Sequence, residues 1–272
     1  MQESKIKYYY GESLSGESVN RKTYPSVNPF THLPIHLFTI LISFAFATVS
    51  FSFNIPERFE YDLTWTGIKA GAATLEIIRT GNDIKIISTA RSAAWVSIFY
   101  TVEDRVETIL KKNSSLTFVG EPVNYRLKIK EGRHRRDKEV IFNSGNKVTY
   151  IDHINKEKQI FDVPSLILDP LSSFYYLRTL RLVVGEPVYV TIFDSKKIWN
   201  VEVQVLKKER VTLPTGTVDT ILIKPLMKSE GIFYKKGDIY IWLTDDDKRI
   251  PVKLQTKVAI GSINALLTGG RY

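Results

Sequence analysis

The sequence predicts an all-β, mainly antiparallel protein. The expected form is a long meander curled into a barrel or half-barrel, with one short helix at about 170–180 against the open side. Three observations carry this. Apolar and polar residues alternate with a period of two over most of the chain beyond Arg58. Turn-forming Gly, Asn, Asp and Pro interrupt that alternation at short intervals. Only one segment has helical spacing. A dozen or so antiparallel strands are too many for a flat open sheet, so curling is expected.

In chain order, residues 1–34 are rich in Ser, Tyr and Asn and lack periodicity, so they read as a disordered leader with a basic n-region. Residues 35–53 form the one long apolar run. Ala45-Phe46-Ala47 fits the small-x-small pattern of signal-peptide cleavage. The run is also long enough to stay as an uncleaved inner-membrane anchor. Both readings put the remaining domain, 57–270, outside the cytoplasm, in the periplasm or outer envelope. With no cysteine in the chain, lipid attachment through Cys and disulfide bonding are excluded.

The domain opens on Phe59, Tyr61, Leu63 and Trp65 alternating with Glu60, Asp62 and Thr64. Successive strand side chains face opposite ways, so each such segment has one dry and one wet face. Gly67 and Gly71 mark a sharp bend or bulge between the first two strands. Turns follow at 80–83 and 143–146, then at 214–216, 236–238 and 245–248. Asp169-Pro170 reads as a helix N-cap followed by Pro at the first helical position. Leu171, Phe174, Tyr175 and Arg178 then recur at helical spacing.

Beyond Ala47 the chain carries 34 Lys+Arg against 26 Asp+Glu. An exported basic protein meets anionic lipid headgroups or acidic glycans rather than nucleic acid. The dense cluster is Arg133-His134-Arg135-Arg136, inside a nine-residue stretch polar on both faces. It reads as a projecting hairpin tip or as a basic rim for an anionic headgroup, since the Arg fork pairs with phosphate or carboxylate. Residues 101–107 are also charged on both faces, as an edge strand or a wet interior would be. Asp245-Asp246-Asp247 reads as a solvated hairpin tip rather than a calcium loop. No nucleophile elbow, HExxH or multi-histidine set occurs, no catalytic residue stands out, and no cofactor is expected. The candidate ligand-binding residues are Arg133, His134, Arg135, Arg136, Arg105, Tyr175, Arg178, Trp65 and Trp242: a basic rim, a helix face and two strand tryptophans.

Several stretches also match a known pattern together. They are the opening 59–71, Glu131-Gly132-Arg133, the helix 169–178, the segment 236–246, and Arg249-Ile250-Pro251-Val252. In this order the chain resembles the bacterial exported family known as domain of unknown function 3108. The resemblance implies a secreted or periplasmic β-barrel-like protein with no assigned activity and no catalytic residues to carry over. More loosely, it implies likeness in shape to capsule-export lipoproteins and half-barrel lipoprotein carriers. The functional expectation is a non-catalytic binding or carrier protein for an amphipathic or anionic envelope molecule, a lipid or a glycan. The alternative is an assembly factor acting on envelope proteins. A glycan or ester hydrolase is the third reading. Membrane contact is expected only through 35–53, if that segment is retained.

Overall fold

The computed structural model describes residues 54–111, 119–226, 238–257 and 261–272. The chain divides into two units, Met1–Ala47 and Thr48–Tyr272, and all described residues belong to the second. The leader, the apolar run 35–53 and the turn residues 236–237 lie outside the described residues.

The first eight strands are β1 (Glu57–Trp65), β2 (Ile68–Thr80), β3 (Asp83–Ser92), β4 (Val102–Lys111), β5 (Glu121–Glu131), β6 (His134–Asn143), β7 (Lys147–Asp152) and β8 (Glu157–Asp162). A four-residue helix, α1 (Ala94–Ser97), sits between β3 and β4. After helix α2 (Pro170–Arg178) come β9 (Val188–Asp194), β10 (Lys197–Leu213), β11 (Gly216–Leu226), β12 (Ile239–Thr244), β13 (Pro251–Lys257) and β14 (Ser262–Arg271). All fourteen form one sheet in the order β8-β7-β6-β5-β4-β3-β2-β1-β14-β13-β12-β11-β10-β9. Every ladder between them is antiparallel. Two meanders therefore meet at the β1–β14 pair.

The expected closure into a barrel or half-barrel is not found. The sheet is open, and β8 and β9 stand at its two ends without pairing to each other. The reason lies in the connection between them. Leu168 N–H donates to Thr191 O at 3.1 Å, and Phe193 N–H donates to Leu168 O at 2.8 Å. The backbone before α2 therefore occupies the edge of β9 that β8 would have needed. Among the described residues the two ends meet through side chains: Lys196 Nζ reaches Glu157 Oε2 at 2.6 Å, and the Phe161 and Phe193 rings lie 5.3 Å apart.

Local signals translate directly. Asp169 caps α2 by accepting from Leu171 N–H and Ser172 N–H, and Ser172 Oγ accepts from Asp169 N–H in return. Thr108 Oγ1 donates to Asp169 Oδ2 at 2.7 Å, which seats the start of the helix on β4. Gly71 adjoins a bulge at Ala70 of β2, and an added Cβ there would come within 2.3 Å of Arg91 O. At 245–248, Asp246 Oδ1 accepts from Thr244 Oγ1, Lys248 N–H and Arg249 N–H. The carboxylate closes its own turn, and no group of three or more His, Asp or Glu among the described residues is placed to hold a metal ion. Residues 102–107 do not lie on an edge. They belong to β4, which pairs on both sides.

The space beside α2 is filled by side chains. Leu168, Leu177, Ile192, Val203, Ile221 and Leu243 belong to its largest apolar cluster, and all are buried. The helix lies on a packed core rather than plugging an opening. Burial of this kind supplies the main stabilisation, about 1.5–3 kcal/mol per large aliphatic side chain.

Candidate functional site

The predicted residues are not brought together. Arg178 is fully buried at the C-terminal end of α2, and its donors are spoken for. Nη1 and Nη2 donate to the two Glu57 oxygens at 2.7 and 3.0 Å. Nε donates to Arg249 O, and Nη2 also to Lys248 O, each at 3.0 Å. The guanidinium lies 5.0 Å from the Tyr175 ring centre and 5.3 Å from that of Phe59. Tyr175 is buried too, and burial pushes its hydroxyl pKa up. This is a sealed tie between α2, the start of β1 and the β12–β13 turn. It leaves no face for a ligand.

Arg105 points away from the core on β4 and pairs with Glu107. Trp65 ends β1, half-buried. Arg133, His134 and Arg135 are exposed at the β5–β6 turn. Arg135 donates to the Gly132 and His134 carbonyls, and Arg136 Nε donates to His134 Nε2 at 2.6 Å. Arg136, Lys138 and Val140 share a β6 face that pairs with Ile129, Leu127 and Tyr125 of β5, the core side of the sheet.

A polar group sits at that end of the core. The Tyr150 ring of β7 lies between Lys138 Nζ at 5.7 Å and Lys196 Nζ at 5.3 Å. Lys196 in turn donates to both Glu157 oxygens. Burial raises the Tyr150 hydroxyl to about 12, raises the Asp194 carboxyl and lowers the Lys138 ammonium. Ser195 and Lys196 hold the β9–β10 turn with φ of 50° and 66°, a geometry that usually selects Gly or Asn. The grip of Lys196 on Glu157 helps to hold it. These groups satisfy one another across two sheet ends.

Trp242 lies in a different place. An open cleft of about 510 Å³ is lined by Thr64 of β1, residues 209–212 of β10, Trp242 of β12, Lys253 and Gln255 of β13, and Asn264 and Leu266 of β14. Strand register explains the convergence: Trp242 faces Lys253, Lys253 faces Leu266, Gln255 faces Asn264, and Asn264 faces Thr64. The distal half of β10, beyond a bulge at Val205/Lys207, forms the opposite wall. Trp242 Nε1 donates to Glu209 Oε1 at 2.7 Å, and Lys253 Nζ stands 4.4 Å from the indole centre. Gln255 Nε2 donates to Asn264 Oδ1 at 2.8 Å. Hydrogen bonds from Lys207 and Trp242 hold the Glu209 carboxyl below the usual glutamate range. Among the described residues Lys253 makes no ion pair. The cleft thus offers an indole, two amides, hydroxyls and a cation with spare donors.

Of this cleft, only Trp242 was identified from the sequence. Glu209, Lys253, Gln255 and Asn264 come from three other strands, and each reads locally as one more solvated position. Nothing but the register brings them together.

The family of proteins of unknown function named DUF3108 matches residues 60–268. The chain belongs to that family, which is bacterial and exported. No curated protein matches it. Among solved structures, the chain is similar to a β-barrel-like protein of domain of unknown function DUF1849 from Brucella abortus, at 14% identity and a TM-score of 0.50. That likeness covers 80% of this chain and 98% of the other, and it is one of fold. A protein of YmcC-like fold from Bacteroides fragilis aligns over 80% of this chain and 96% of its own. Its TM-score of 0.30 and 8% identity are too low to support an argument.

Proposed function

We propose that this member of an exported family is a non-catalytic binding protein of the cell envelope, working in the periplasm or outer envelope, and that its Trp242 cleft takes an acidic glycan. The observation that carries this reading is the convergence of Trp242, Lys253, Gln255, Asn264 and Thr64 from four strands on one open cleft. Sugar rings place C–H faces against aromatic walls and present hydroxyls that amides and threonines satisfy. A uronate or other acid on the glycan would accept from Lys253, whose amine already overhangs the indole. The packed apolar cluster beside α2 supports the glycan half of the expectation over an acyl-chain carrier, because an acyl chain would need that space.

The test is titration of the protein with uronic-acid oligosaccharides and with neutral gluco-oligosaccharides, followed by calorimetry and tryptophan emission. Binding should favour the acidic series and weaken at least tenfold in Trp242→Phe. No binding of acidic oligosaccharides at millimolar concentration, or equal binding by that variant, would end the proposal.

A further inference from the structure

The α1 loop carries a patch that the cleft does not use. Ile98 is 85% exposed and Phe99 64%, and Ile68, Tyr100 and Trp95 are exposed beside them. Single exposed apolar residues are ordinary, but five large ones on two touching connections are not. The loop that presents them is firmly built. Trp95 Nε1 donates to Lys69 O at 2.9 Å, joining it to the start of β2. Ser92 Oγ meets Ser97 Oγ at 2.7 Å and accepts from Val102 N–H at 2.8 Å. Val96 is buried as the anchor, and Tyr100 N–H donates to Val96 O at 2.8 Å. The Trp95 and Phe99 rings stand edge to face, 5.9 Å apart.

The patch abuts the basic turn. Gly132 N–H donates to Thr101 O at 2.8 Å, and a Cβ on Gly132 would come within 2.7 Å of the Tyr100 ring. Arg133 and Arg135 therefore flank the aromatic tip, with Arg91 on the neighbouring strand β3. Lys130 pairs with Glu103, and Lys69 with Asp62. Asp104, which accepts from Lys130 N–H at 3.1 Å, and Glu131 are the other carboxylates nearby. Arg91, Arg133 and Arg135 make no ion pair among the described residues and outnumber these two, so the charge left over is positive.

We infer that the Trp95–Tyr100 tip docks on the surface of an anionic phospholipid bilayer, with Arg91, Arg133 and Arg135 against the headgroups. Trp and Tyr favour the bilayer interface, Ile and Phe favour the acyl boundary, and neighbouring Arg side chains add attraction to anionic lipid. The charge complementarity selects this occupant. The tip lies at the opposite end of β1 from Glu57, and it shares no residue with the Trp242 cleft.

The absence of cysteine permits a clean test in the full chain. Phe99→Cys, labelled with an environment-sensitive fluorophore, is mixed with vesicles of phosphatidylglycerol and phosphatidylethanolamine or of phosphatidylcholine alone. Ile160→Cys, at an exposed position on β8, is the labelled control. The label at 99 should brighten at least threefold with anionic vesicles and lose most of that response in high salt or in Arg133→Glu/Arg135→Glu. A response at 99 no larger than at 160, or equal in phosphatidylcholine, or unchanged by the double substitution, would overturn the inference. So would brightening that requires an added envelope protein. Far-UV circular dichroism confirms that each variant is folded.

Discussion

Arg178 lies 5.0 Å from the Tyr175 ring centre, and Lys253 lies 4.4 Å from that of Trp242. The local chemistry is similar, a cation on an aromatic face. The surroundings are opposite. Arg178 is enclosed by Glu57, two backbone carbonyls and two rings, so its binding capacity is consumed by the fold. Lys253 stands at an open cleft whose other walls are amides, hydroxyls and a carboxylate already bonded to Lys207 and Trp242. A cation–aromatic pair is scaffold where the remaining donors are satisfied internally and a candidate site where they are not.

The largest effect should come from the sealed pair. Arg178→Met would leave the Glu57 carboxylate buried and unpaired, at a cost of about 3–5 kcal/mol in denaturant unfolding. Adding Glu57→Leu should recover roughly half of that, because removing both charges removes the uncompensated one. A single substitution costing under about 1 kcal/mol would break the contrast by showing that the enclosed pair is not structural. Lys253→Met should behave in the other way. Stability should fall by no more than about 1 kcal/mol, the order of the cation–aromatic contact that half-buried Lys253 makes with Trp242, while binding of uronic-acid oligosaccharides falls at least tenfold. A large stability loss there would make Lys253 a second structural cation.

The smallest effect sharpens the cleft itself. The Glu209 carboxyl is held low by hydrogen bonds from Lys207 and Trp242, so the folded chain prefers the carboxylate more than the unfolded chain does. Its contribution is complete above the ordinary glutamate pKa and is lost as the pH falls through the depressed value. Tryptophan emission should therefore shift on the acid side of the ordinary glutamate range, and Glu209→Gln should remove that step. An unchanged titration in Glu209→Gln would mean that the carboxylate does not control the indole.

Much of this molecule is legible in its sequence. Asp169-Pro170 marked the helix, which ends at Arg178, two residues before the expected limit. The turns at 80–83, 143–146 and 214–216 stand where glycine and asparagine placed them, with Gly81 and Asn146 at positive φ. Arg178, by contrast, looked like a candidate ligand contact. Its partner Glu57 is 121 residues away, and no local pattern reports such a pairing. The open sheet is not legible in the sequence for a related reason. Strand number argued for a barrel, but the edge of β9 is occupied by Leu168, a residue with no strand signal around it.

By itself the sequence determined which residues alternate, where the chain turns and where its one capped helix begins. Each of these is governed by neighbours a few positions apart. The tertiary structure alone decided which strands meet, that β8 and β9 remain apart, that Arg178 is enclosed, and that Trp242, Lys253 and Asn264 share a cleft. Those outcomes depend on strand register over long separations, where a shift of one residue would turn every side chain to the other face.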